Sequence, residues 1–205
     1  MGRIRNIWSM VVAELGRSKF YILAAAILFG FGIYSGFSSD EFDKVLSNAT
    51  NQVFGEIKEK IEQSDNPTVT SIWLIFLNNV RAVFFMMALG LGLAVMPVIS
   101  MLVNGIMIGF VLRIQEAAGY PLVDMIFKGL LPHGLLELPA IIIGAGYGIR
   151  LGVTLVLRLF PSMRSGLQTI REAALSGIPL FGFLVVLLFF AAIIESTLTV
   201  FLLVG

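Results

Sequence analysis

No cysteine occurs in the chain, and histidine occurs once, at position 133. The first absence excludes disulfides, thiolate metal sites, iron–sulfur clusters and cysteine nucleophiles. The second excludes motifs that need two histidines, such as the HExxH helix of zinc proteases. No GxSxG elbow accompanies the lone histidine, so a serine hydrolase of that kind is also unsupported. Charge is scarce: Asp, Glu, Lys and Arg make up 13% of residues, about half the share usual in soluble domains. The 14 basic and 13 acidic residues leave a net charge of +1 with no basic face, which gives no reason to expect a nucleic-acid partner. The hydrophilic segments are short, so any active site would have to lie within the apolar segments or at their surface; no enzyme activity and no cofactor are expected.

What the chain does have is apolar length. Hydrophobic residues are 58% of the total and the mean hydropathy is +0.94. A helix needs about 20 mostly apolar residues to cross a hydrocarbon core of roughly 30 Å. Five stretches qualify: 20–37, 71–93, 97–118, 132–157 and 175–204. Backbone hydrogen bonds must close internally in lipid, and no ten-residue alternating pattern of a barrel appears. The expected fold class is therefore all-α, a single polytopic membrane bundle of five transmembrane helices. Residues 1–19 carry Ile4, Ile7, Trp8, Val11, Val12 and Leu15 among charges and predict a cytoplasmic interfacial helix. No small-residue cleavage site follows the first apolar run, which reads as an uncleaved anchor.

Orientation follows from where Lys and Arg collect. Arg3, Arg5, Arg17 and Lys19 precede the first span, and Arg158, Arg164 and Arg171 separate the last two; both segments suit the cytoplasm. The segment 38–70 is rich in Asp and Glu and suits the outside. Its Phe42, Val45, Leu46, Ala49, Val53, Ile57 and Ile61 recur every three or four residues, which predicts an extracytoplasmic amphipathic helix ended by Asn66-Pro67. The expected placement is the cell membrane, with the N-terminus cytoplasmic and the C-terminus outside.

Polar residues inside the spans are costly and need a reading each. His133 and Glu137 lie four apart on one helical face, with Gly144 and Gly148 continuing the same stripe. Asn78, Asn79 and Arg81 fall in the second span, Asn104 in the third, Arg150 near the inner end of the fourth and Glu195 in the fifth. By depth, Asn78, Asn79, Arg81, His133, Glu137 and Glu195 are placed to converge, with Arg81 as a counter-charge to the two carboxylates and His133 and the Asn amides filling the remaining hydrogen bonds. Three readings stand: a structural hydrogen-bond network, a path for a proton, cation or small solute, and a metal held by His133, Glu137 and Glu195. On the structural reading, Glu137→Gln lowers bundle stability and partner binding together without touching any flux. Gly105 and Gly109, and Gly144, Gly148 and Gly152, have the small-xxx-small spacing of close helix packing, either within the chain or across a homo-oligomer interface.

The stretch PHGLLELPAIIIGAGYGIRLG, Pro132 to Gly152, resembles the signature of the stage II sporulation protein M family, in which a Pro-His-Gly-x-x-Glu element opens a membrane helix with a Gly-rich end. The elements Asn78-Asn79-x-Arg81, Asn104-Gly105-x-x-x-Gly109 and Ala192-Ile193-Ile194-Glu195 followed by Thr199 are similar to the family in the same order. The resemblance implies a five-span membrane protein with small loops. It further implies a scaffold for extracytoplasmic envelope partners, because the named member in endospore formers recruits peptidoglycan-degrading enzymes. Its family-typical polar residues would be Asn78, Asn79, Arg81, Asn104, His133, Glu137 and Glu195.

Overall fold

A computed structural model describes residues 2–40, 46, 60–61, 63–160, 162 and 168–199. Five long helices occur among them and no strand: α1 (Gly2–Ser38), α2 (Pro67–Ala88), α3 (Val95–Ala117), α4 (Leu131–Leu159) and α5 (Ile170–Ile194). All five include stretches long and apolar enough to cross a membrane. The expected amphipathic helix within 38–70 lies almost wholly outside the described residues.

Residues 1–19 and 20–37, expected as an interfacial helix and a separate span, are joined in one uninterrupted helix from Gly2 to Ser38. The first proline of the chain is Pro67, so no proline interrupts this helix. A single seam organises it: Val11, Glu14, Ser18, Ala25, Phe29, Gly32 and Gly36 are buried and follow one another at helical intervals. Ile7, Trp8 and Val12, the apolar residues that suggested an interfacial face, are half exposed, while Trp8 packs edge-on against Phe183 of α5 at 5.7 Å.

Three caps and turns set where the other helices begin and end. Asn66 caps α2 by accepting from the Val69 amide at 3.2 Å, with Pro67 at the first position, where its missing N–H is no loss. Past Ala88 a short 3-10 turn leads to Leu93 and Ala94, both left-handed at φ 59° and 64°. Such a conformation costs a non-glycine residue roughly 1–2 kcal/mol, so this turn is held by its packing. Thr169 and Glu172 form a reciprocal capping box that starts α5.

Helix α4 is the centre of the bundle. In its most apolar stretch 67% of residues are buried, against 22–33% in the other four helices. Glycines let its neighbours touch its backbone. A Cβ on Gly148 would sit 2.1 Å from the Met86 oxygen, and one on Gly152 would sit 2.3 Å from the Ala94 nitrogen. Gly144 faces Val83 and Leu184, so one stripe of small residues receives α2, the left-handed turn and part of α5.

Helices α1 and α3 form the second seam, and they run parallel. A Cβ on Gly105 would meet the Phe29 oxygen at 2.3 Å, and one on Gly109 the Ile33 oxygen at 2.1 Å. Gly32 and Gly36 receive Leu102 and Ile106 from the other side. One helical turn further, Arg113 pairs with Asp40, 73 residues away in sequence, the same offset that relates Gly32 to Gly105 and Gly36 to Gly109. The glycine motifs are thus occupied by contacts within the chain.

Candidate functional site

Polar side chains in the membrane segments gather in two buried centres at opposite ends of α4 and on one exposed face. At the first centre, α4 supplies Glu137, α2 supplies Asn79 and the end of α5 supplies Glu195. Asn79 is 8% exposed and is the hydrogen-bonding neighbour of the Glu137 carboxyl. The Glu195 carboxyl lies close enough to Glu137 for their charges to repel. Oε2 of Glu137 is buried without a hydrogen-bond partner among the described residues. Next to Glu195, Ser196 donates to the Ser71 hydroxyl of α2 at 3.2 Å. Two ionised carboxylates in low dielectric repel strongly.

Local backbone places these groups. Glu195 begins a π-helical stretch, Glu195–Thr199, and another, Met125–Leu130, leads directly into α4. Single π turns of this kind re-aim side chains and are common at functional sites. Pro139 lies inside α4, two residues after Glu137, without ending the helix. The side chain of His133 lies outside the described residues, so its expected place in this centre is not assigned. Among the described residues no group of three His, Cys, Asp or Glu side chains is arranged to hold a metal.

Arg81 does not join this centre, contrary to the expected counter-charge. It is exposed, as is Asn78, because on a helix turning 100° per residue Arg81 points about 200° away from the buried Asn79. Asn104 is likewise exposed, and its amide donates to the Ser100 oxygen of its own helix at 2.8 Å. Equal depth in the membrane did not mean a shared side of the helix.

The second centre pairs acid with base. Glu14, wholly buried on α1, accepts from Arg150 of α4 and from Arg17 at 3.2 Å. Arg150 also donates to the Gln168 side chain at 3.1 Å and lies 5.3 Å over the Tyr147 ring. The Tyr147 hydroxyl donates to the Ala173 oxygen of α5, and Thr154 donates back to the Arg150 oxygen. Ser18 Oγ and Arg150 Nε are buried beside this pair with no partner among the described residues. The sequence reading noted Arg150 but missed Glu14 and Ser18. Extending the Ala25–Phe29–Gly32–Gly36 seam backwards by threes and fours reaches both.

Helices of this length and apolarity, with polar groups turned toward one another, define a multi-pass integral membrane protein. The chain belongs to the stage II sporulation protein M family: the family model, described as Stage II sporulation protein M, matches residues 20–200. Comparison with curated proteins and with solved structures returned no match.

Proposed function

We propose that the protein is a non-enzymatic membrane scaffold that gathers envelope or peptidoglycan-remodelling partners. The observation that carries this reading is the family match over residues 20–200. The disposition of polar groups supports it: Glu14 with Arg150, Tyr147 with Ala173 and Ser196 with Ser71 each tie one helical segment to another, and Arg113 of α3 pairs with Asp40 just past the end of α1. Such ties fix helix registry in a bundle whose seams are otherwise glycine contacts.

A second reading, a path for protons or cations, rests on the Glu137–Glu195 pair and the partnerless Glu137 Oε2. One experiment separates the two. Purified protein in liposomes is tested for proton, Na⁺ and K⁺ flux, alongside Glu137→Gln. The scaffold reading expects no flux in either protein, with both folded. Wild-type flux that Glu137→Gln changes would replace the scaffold with the path.

A further inference from the structure

The exposed face of α2 and α3 carries charge where lipid would have to receive it. Arg81 lies near the middle of the apolar span Pro67–Leu91 and is exposed, with no ion-pair partner among the described residues. A basic side chain at mid-depth facing hydrocarbon is costly on every insertion scale. Its distance from either end of the span, at least ten residues or about 15 Å, exceeds what an arginine stem can bridge to the headgroups.

Arg81 is not alone on this face. Asn78, Arg81, Ala82, Phe85 and Leu89 form one stripe of α2, at spacings of three and four. Ala82, Phe85 and Leu89 also line a groove of about 100 Å³ against Met96, Ser100 and Asn104 of α3. Asn104 lines this apolar groove, and Asn78 and Arg81 lie one helical turn before Ala82 and Phe85 on the same stripe. Asn104 turns its amide onto its own helix, the fallback of a donor with no neighbour.

We propose that this groove docks a partner's transmembrane helix bearing a carboxylate near mid-membrane, which Arg81 pairs while Asn78 and Asn104 supply hydrogen bonds. The proposal rests on the scaffold reading and specifies its partner. Charge complementarity selects an acidic helix. A second copy of this chain fits poorly, because a two-fold interface would set Arg81 against its own image. Of the buried acids of the described chain, Glu14 is already paired with Arg150, and Glu137 turns inward beside Asn79, away from the exposed face of α2.

The absence of cysteine gives a clean test. A single cysteine introduced by Ser38→Cys carries a donor fluorophore, and the protein is placed in liposomes with acceptor-labelled Leu/Ala transmembrane peptides bearing a central Glu, Gln, Lys or Leu. Energy transfer should show the Glu peptide binding about tenfold more tightly than the Leu peptide, with Gln between them and Lys weakest. Arg81→Gln should erase the preference for Glu, and Arg81→Glu should transfer it to the Lys peptide. That reversal does not depend on one variant folding as well as another. Equal binding of the Glu and Leu peptides, or a Glu preference that survives Arg81→Gln, would overturn the proposal. So would energy transfer between protein copies that Arg81→Gln abolishes, since the face would then belong to a homo-oligomer. The flux assay reads out independently of all these results.

Discussion

The two buried centres on α4 are built on opposite electrostatic rules. At one end Arg150 meets Glu14, so an acid and a base neutralise each other across α1 and α4. At the other end Glu137 meets Glu195, so acid faces acid across α4 and α5, with only Asn79 and a serine pair nearby. The first is balanced in charge and has a structural use: it ties the long first helix to the core. The second has no positive partner among the described residues, which leave out the His133 side chain. Within one helix, opposite charges meet at one place and, among the described residues, like charges at the other.

Breaking the charge-balanced centre should have the largest effect. Arg150→Met leaves Glu14 buried and uncompensated, which should lower stability by about 3–5 kcal/mol. Thermal unfolding in detergent checks this, and adding Glu14→Leu should recover most of the loss. A double variant as unstable as the single would show that the pair is not an isolated unit. Next in size, Gly109→Leu leaves both centres intact and drives a side chain into the Ile33 backbone; a loss of about 1–3 kcal/mol is expected. Its failure to destabilise would mean that the α1–α3 seam is looser than its glycine contacts require.

The Glu137–Glu195 centre should respond with the opposite sign. The sequence alone suggested that Glu137→Gln would weaken the bundle; with Glu195 facing it, the substitution removes a repulsion and adds a donor. Stability should hold or rise by up to about 1 kcal/mol. A clear fall in melting temperature would show that the carboxylate is already balanced, and the contrast between the centres would collapse. The smallest effect belongs to Asp40→Asn, which breaks the exposed pair with Arg113 and should cost less than about 1 kcal/mol. Salt should erase even that difference if the contact is a surface pair.

The helices were legible in the sequence because hydropathy reports length directly. Stretches read as 71–93 and 97–118 correspond to Pro67–Leu91 and Val95–Ala117, a few residues displaced. The first helix was read as two because Glu14, Arg17 and Lys19 resembled the edge of a membrane. Hydropathy alone cannot tell a charge that leaves the bilayer from one that is paired inside the bundle. Arg81 was misplaced for a different reason: depth came from the span, but its direction depended on knowing that Asn79 points inward. Glycine spacing marked surfaces of close approach without naming their partners, since Gly32 and Gly36 match Gly105 and Gly109 only through a fold that brings distant segments together.

That parallel seam also bears on how the protein is made. The glycine face of α1 has no partner until α2 has crossed back and α3 has emerged, 73 residues later in the chain. At a synthesis rate of about 5–20 residues per second, the delay is roughly 4–15 s. Throughout it, the first helix sits in the bilayer with an uncovered furrow, so a ribosome that stalls before Gly105 leaves behind a half-built bundle whose incompleteness is displayed to its surroundings.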